Sequence, residues 1–320
     1  MSWRIFLPLL LALAFAGSVL LPFDALYALL GQDRALATSL LVELRLPRAL
    51  LALAYGTTLG ASGAAIQALF ANPLASPDLT GTTSGAALGA VVTAYLFGFA
   101  APIALSIGSV AGALGALALL LALAGPKAET ATLLLSGLAI SALAGALTTL
   151  ALALAPSPFA FYDAYDWLMG SLIDRSLDQA AFAALPALLT IGLLMRLGPA
   201  LDRLALGEDV AQSLGDDVAR LRMQVICLTA FGVGACVAIC GAIGFIGLIA
   251  PIFARRLTHG HPGRAILPAA LIGALLLTAA DLAVRLAPLG RTLPIGVVTA
   301  LIGAPFFLWL VAHMRWRLSA

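Results

Sequence analysis

The chain has 320 residues, 62% of them hydrophobic and only 10% charged, with a formal net charge of +2 and a mean hydropathy of +1.08. A soluble domain needs far more charge to cover its surface, so an ordinary globular protein is excluded. The composition predicts an all-α polytopic membrane protein, and no nucleic-acid partner is expected.

Roughly 20 apolar residues cross a bilayer as a helix. In chain order, apolar segments are predicted near 3–22, 47–70, 83–100, 102–125, 131–155, 180–198, 224–246, 248–258, 265–287 and 294–313. They imply about ten transmembrane helices in a single domain over 1–320. The first segment carries one charge, Arg4, and has no cleavage motif before Pro22, so it reads as a retained helix rather than a signal peptide. The second ends where Asn72-Pro73-Leu74-Ala75-Ser76-Pro77-Asp78 brings two prolines and an asparagine together. Gly56 and Gly60, then Gly81, Gly85 and Gly89, then Gly108 and Gly112 recur every four residues. Such faces let helix backbones approach closely in lipid, and ordinary bundle packing explains them.

Between the sixth and seventh segments lies one polar island, Leu204 to Arg222, inside a loop predicted over 199–223. It holds Glu208, Asp209, Asp216, Asp217, Arg220, Arg222 and two glycines, Gly207 and Gly215. A charged, helix-forming loop of this size in an apolar chain is suited to contacting a water-soluble partner. Further on, Gly241-Ala-Ile-Gly-Phe-Ile-Gly-Leu-Ile-Ala-Pro251 places three glycines at spacing three before a proline. That pattern predicts a broken or re-entrant passage, and the eighth segment is too short to cross alone.

Cys227, Cys236 and Cys240 share one apolar segment without a histidine, so they read as packing residues. His259 and His261 flank a glycine in a basic loop and read as a solvated turn rather than a metal site. With the N-terminus inside, eleven basic residues fall inside: Arg4, Lys127, Arg196, Arg203, Arg220, Arg222, Arg255, Arg256, Arg264, Arg315 and Arg317. Six fall outside: Arg34, Arg45, Arg48, Arg175, Arg285 and Arg291. The bias predicts both termini cytoplasmic. Of the ionisable groups within apolar segments, Asp281 stands out; Arg285, four residues on, shares its helix face and predicts an internal ion pair near the outer end.

Phosphate-loop, HExxH and GxSxG motifs are all missing from the sequence, so no catalytic residue, metal or cofactor is expected, and no chain of buried acids suggests a proton-coupled carrier.

Arg45-Leu-Pro-Arg48, Gly63-Ala-Ala-Ile-Gln67, and Asn72-Pro-Leu-Ala75 with Pro77 and Gly81 resemble the opening signature of FecCD-type permeases. These are the membrane subunits of ABC importers for iron–siderophore complexes, haem and cobalamin. The likeness continues through Leu135-Ser-Gly137, Trp167-Leu-Met-Gly170, Leu206-Gly-Glu-Asp-Val-Ala211 and Leu214-Gly215. It closes with Gly241-Ala-Ile-Gly-Phe-Ile-Gly247, Asp281, Arg285, Leu293-Pro-Ile-Gly296 and Gly303-Ala-Pro-Phe306.

The resemblance implies a vitamin-B12-importer-type permease fold in the cell inner (plasma) membrane. It implies a homodimer working with two cytoplasmic ABC ATPase subunits and a periplasmic substrate-binding protein. The polar loop would form two short helices fitting a cleft on the ATPase, with Gly207, Glu208, Asp209, Ala211, Leu214 and Gly215 as coupling residues. Arg45, Arg48 and Arg285 would meet acidic residues of the binding protein, the alternative being headgroup anchoring. Asn72, Leu74 and Thr130 would narrow the inner end of the pathway. Two positions depart from the family pattern: Ile252 follows Pro251 where a histidine is usual, and Arg291 and Thr292 stand where a glutamate is common. The expected function is ATP-driven import of an iron chelate, a ferric siderophore by preference. Haem or cobalamin is the alternative cargo, and an ATPase-independent channel or carrier the alternative class.

Overall fold

A computed structural model describes residues 3–98, 101–125, 130–155, 157–287 and 293–318. Every regular element among them is helical. In chain order they are α1 (Trp3–Leu20), α2 (Phe23–Gln32), α3 (Arg34–Ser39), α4 (Leu46–Leu69), α5 (Thr82–Tyr95), α6 (Pro102–Ala124), α7 (Thr130–Ala153), α8 (Pro158–Leu168), α9 (Leu177–Leu204), α10 (Glu208–Ser213), α11 (Val218–Cys240), α12 (Ile246–Leu257), α13 (Ile266–Leu286) and α14 (Ile295–Leu318). Seven of the described helical spans have the length and apolarity of a membrane crossing. The shorter α5 and α12, together with α14, account for the remaining apolar segments of the sequence.

Burial separates a central layer from a lipid-facing one. In an 18-residue apolar stretch of the span containing α4, 83% of the residues are buried, against 11% in α1. α4 packs against α13, α9, α12 and α11, while α5 packs against α6 and α7. Glycine makes these approaches possible: a Cβ on Gly56 would lie 2.6 Å from Ala274 Cα, and one on Gly112 would run into the Gly85 carbonyl. The four-residue glycine repeats thus set two helix–helix seams. Because lipid tails are as apolar as leucine, such seams are held by van der Waals packing, with interhelical hydrogen bonds adding roughly 0.6 kcal/mol each. One such bond runs from Ser109 Oγ to the Gly234 carbonyl at 2.8 Å. The exposed Leu13, Ile107, Leu150, Leu188 and Leu301 on the outer helices face the bilayer, where they carry no solvation penalty.

The chain is interrupted where the glycines and prolines predict. α4 stops at Leu69, and Asn72 Oδ1 accepts from Leu74 N at 2.9 Å to close the turn that follows. α11 stops at Cys240, and the backbone is irregular until α12. Irregular backbone at membrane depth must be satisfied by protein. Buried Tyr55 does this: its hydroxyl donates to the Gly241 carbonyl at 3.1 Å and accepts from Ile243 N at 3.3 Å. Gln67 Nε2 donates to the Leu248 carbonyl at 3.2 Å. The same point gathers two further interruptions, because Ser171 N donates to the Cys240 carbonyl and Ile295 N to the Gly170 carbonyl.

Besides α10 in the polar loop, α2, α3 and α8 lie outside the predicted apolar segments. α2 and α3 fill 23–39, where Asp33 caps α3 by accepting from Ala35 N at 2.9 Å. α8 begins at Pro158 after the capping Ser157. Each is short and mixes charged with aromatic or apolar residues, so no membrane-length run marks it. The three cysteines are free thiols, two of them buried in α11.

Candidate functional site

The two ends of the bundle carry the polar chemistry, and they are built differently. At one end α9 terminates at Leu204, and Gly207, with φ of 113°, turns the chain into α10. Gly215, with φ of 91°, turns it again. A left-handed or wider positive φ is strained for any residue with a Cβ, so both turns depend on glycine. Asp217 Oδ1 then accepts from Arg220 N at 2.9 Å and starts α11.

Two ion pairs brace this loop against the helices it joins. Arg203 of α9 grips Asp216 through two bonds, Nε to Oδ2 and Nη2 to Oδ1, both 2.6 Å. Arg222 of α11 donates from Nη2 to Glu208 Oε1 at 2.9 Å. The Arg203 guanidinium holds the Asp216 carboxyl below its ordinary value. The loop is thereby tied to both of the helices it joins.

Its exposed surface includes large apolar side chains among the polar ones. Leu206, Val210 and Leu214 recur every four residues and are 67%, 43% and 57% exposed. Glu208, Asp209 and Gly215 are exposed around them, whereas Ala211, on the inner side of α10, is fully buried. Ala211 is therefore a packing residue of the loop rather than part of its outer face. Leu206 and Val210 were not among the coupling residues expected from sequence; their spacing of four with Leu214 is the signal that finds them. The expectation of two short helices is also corrected. Only α10 is short, and the second arm is the beginning of α11, which continues without a break from Val218 to Cys240.

The opposite end gathers Arg45, Arg48 and Arg285, as the sequence suggested, but around Asp281 rather than around an open rim. Arg48 Nε donates to Asp281 Oδ1 at 2.7 Å, and Arg285 Nε lies 3.5 Å from Asp281 Oδ2. The expected Asp281–Arg285 pair is thus present, with Arg48 as its stronger arm. Arg45, only 6% exposed, donates to the carbonyls of Val19, Leu20 and Pro22. Arg285 Nη2 donates to the Ser18 carbonyl and to Ser18 Oγ. The expectation of three outward charges is corrected here. The guanidinium groups tie the end of α1 to α4 and α13, satisfying carbonyls that a helix end leaves without intrahelical partners. Exposed charges at this end include Asp24, Asp33 and Arg34 on the α2–α3 excursion and Glu43 on the π-helical turn Leu40–Arg45 that follows it.

Asn72 and Leu74 lie together in the turn after α4, each partly exposed. Thr130 opens α7, with its side chain outside the described residues. Lys127, Arg291 and Thr292 also lie outside them.

An α-helical bundle with broken crossings at its centre and one braced loop at its end defines a multi-pass membrane protein. The FecCD transport family model matches residues 5–313, and the chain belongs to this family. It is 40% identical over 290 residues to the vitamin B12 import system permease protein BtuC of Vibrio cholerae, covering 87% of this chain and 84% of that one. It is 38% identical over 298 residues to the Fe(3+)-citrate import system permease protein YfmE of Bacillus subtilis, covering 92% and 88%. Among solved structures, an inward-facing metal-chelate type ABC transporter superposes with a TM-score of 0.83 at 33% identity, over 96% of this chain and 97% of that chain. The chain is accordingly a permease subunit of ABC-importer type, a transport component rather than an enzyme.

Proposed function

We propose that this permease carries a ferric siderophore or a related iron chelate across the inner membrane, driven by a separate ATPase docked on the α10 loop. The observation that carries the coupling role is the exposed apolar row Leu206, Val210 and Leu214 on a loop braced by two ion pairs. A loop meant only for water would not leave three large apolar side chains exposed so close together. A rigid brace lets motion of a docked partner reach α9 and α11, which frame the bundle centre.

The chain acts as a homodimer with two ATPases and a periplasmic binding protein. Both termini are cytoplasmic, as the basic-residue bias argues. Asn72 and Leu74, with Thr130, narrow the inner end of the path. Arg45, Arg48 and Arg285 serve docking indirectly, by fixing the end of α1 and with it the α2–α3 excursion and the turn after it, which present Asp33, Arg34 and Glu43. The iron-chelate reading draws support from the ferric citrate permease relative, while the B12 permease relative keeps cobalamin as the second cargo.

The test is uptake in proteoliposomes holding the permease, its ATPase and its binding protein, with labelled ferric siderophore, haem and cobalamin offered separately. ATP-dependent accumulation of the ferric siderophore is expected. Accumulation of cobalamin alone would replace the cargo, and accumulation without ATP would replace the mechanism. Orientation is read by labelling introduced cysteines from outside: positions near Asp33 and Asp174 should react, and one near Gly260 should not.

A further inference from the structure

A groove of about 890 Å³ opens between the start of α1, the end of α9 and the turn joining α12 to α13. Its back is sealed by a close crossing in which a Cβ on Gly263 would run into the Gly198 carbonyl. Asp202, the one acid lining it, has its Oδ1 engaged by Gly263 N at 2.8 Å. Two exposed cations line the groove, Arg4 and Arg264, with His259 and His261 adding N–H donors. Below this rim the wall is apolar, including Pro8, Met195 and Leu267. Trp3 lines it too, with the Arg4 guanidinium 5.8 Å from its ring.

This layering matches an amphiphile with an anionic head. Basic pockets between transmembrane helices at the cytoplasmic face are suited to anionic lipid headgroups, and tryptophan is favoured at that depth. The shape separates a lipid from a small anion: a free phosphate would use the arginines and leave the apolar wall empty. We propose that the groove binds one anionic phospholipid, its phosphate held by Arg4 and Arg264 and an acyl chain laid along Met195 and Leu267. The assignment rests on the transmembrane reading and on the proposed orientation for its leaflet, but not on the cargo or the ATPase.

The experiment is lipid binding to the full chain purified in detergent, followed by native mass spectrometry with phosphatidylglycerol, phosphatidylcholine and inorganic phosphate as probes. Saturable binding of phosphatidylglycerol over phosphatidylcholine is expected. Arg4→Gln with Arg264→Gln should weaken it about fivefold per arginine, roughly thirtyfold together, while the paired lysine substitutions should retain it. Met195→Trp, which fills the apolar wall without changing charge, should also weaken it and supplies the test if the double variant fails to fold. Unchanged phosphatidylglycerol affinity in both variants would overturn the proposal. So would displacement of the lipid by millimolar phosphate, which would make this an anion site. The assay uses neither ATPase nor transport, so a failed uptake experiment leaves its outcome readable.

Discussion

The α10 end and the arginine end are both charged interruptions in an apolar chain, yet they use charge in opposite ways. At the α10 end the ion pairs Arg203–Asp216 and Arg222–Glu208 lie beside the projecting face and leave Leu206, Val210 and Leu214 exposed. At the other end Arg45, Arg48 and Arg285 turn inward onto Asp281 and the carbonyls closing α1. One set shapes a surface for a partner, and the other closes the bundle on itself. A cluster of arginines in a membrane protein therefore does not by itself mark a docking rim. What separates the cases is whether helix-end carbonyls and a buried carboxylate lie within reach.

The largest effect should come from breaking the closed end. The Asp281 side chain is 1% exposed, and Asp281→Ala would leave Arg48 and Arg285 without their carboxylate. Removing one partner of a buried pair costs about 3–5 kcal/mol. A marked fall in thermal stability of the detergent-purified protein is expected, with little folded material recovered. Wild-type stability in this variant would return the arginines to a surface role.

Next comes the turn at Gly215, whose Cβ direction is open space but whose φ is positive. A β-branched residue there meets a backbone penalty of about 1–2 kcal/mol or more, enough to depopulate the turn roughly tenfold. Gly215→Val should therefore lose uptake while binding-protein docking survives, and Gly215→Asn, which tolerates this region, should stay near wild type. Equal activity in the two variants would show that loop geometry is not what couples.

The brace itself should matter less and in a pH-dependent way. Because Arg203 lowers the Asp216 pKa, the pair contributes above the unfolded carboxylate value of about 3.9 and is lost only as pH falls through the lower folded value. Coupling, measured as uptake per ATP hydrolysed, should then be insensitive to this group between about pH 5 and pH 8. Asp216→Asn should lower that ratio across the whole range while basal hydrolysis persists. A ratio that fell in the wild type between those limits would show that Asp216 is not held ionised by its pair.

The smallest effect is expected at the exposed rim charges. Glu43→Lys should change the association rate of the binding protein by a few-fold at low salt and leave stability alone, since such charges are screened over about 8 Å at physiological salt. A stability loss instead would place Glu43 with the closed arginine set.

Much of this architecture was legible in the chain itself. Apolar length marked the crossings, Asn72 with its two prolines marked the end of α4, and the glycine run from Gly241 marked the gap before α12. Those features act through local backbone physics and bilayer thickness, which sequence spacing encodes directly. The direction in which a side chain points is not local. The inward turn of Arg45 depends on the carbonyls of Val19, Leu20 and Pro22, more than twenty residues earlier. The meeting of Gly170, Gly241 and Ile295 depends on three separate breaks reaching one point. Leu206, Val210 and Leu214 were legible as apolar residues in a polar stretch, but their exposure was decided by the inward packing of Ala211 in α10 and by the pairs that Arg203 and Arg222 make with the loop. Sequence determined where this chain could cross the bilayer and where it had to break. Tertiary structure decided which polar groups those breaks would consume and which would remain for a partner, because long-range pairing, unlike periodicity, leaves no mark in neighbouring residues.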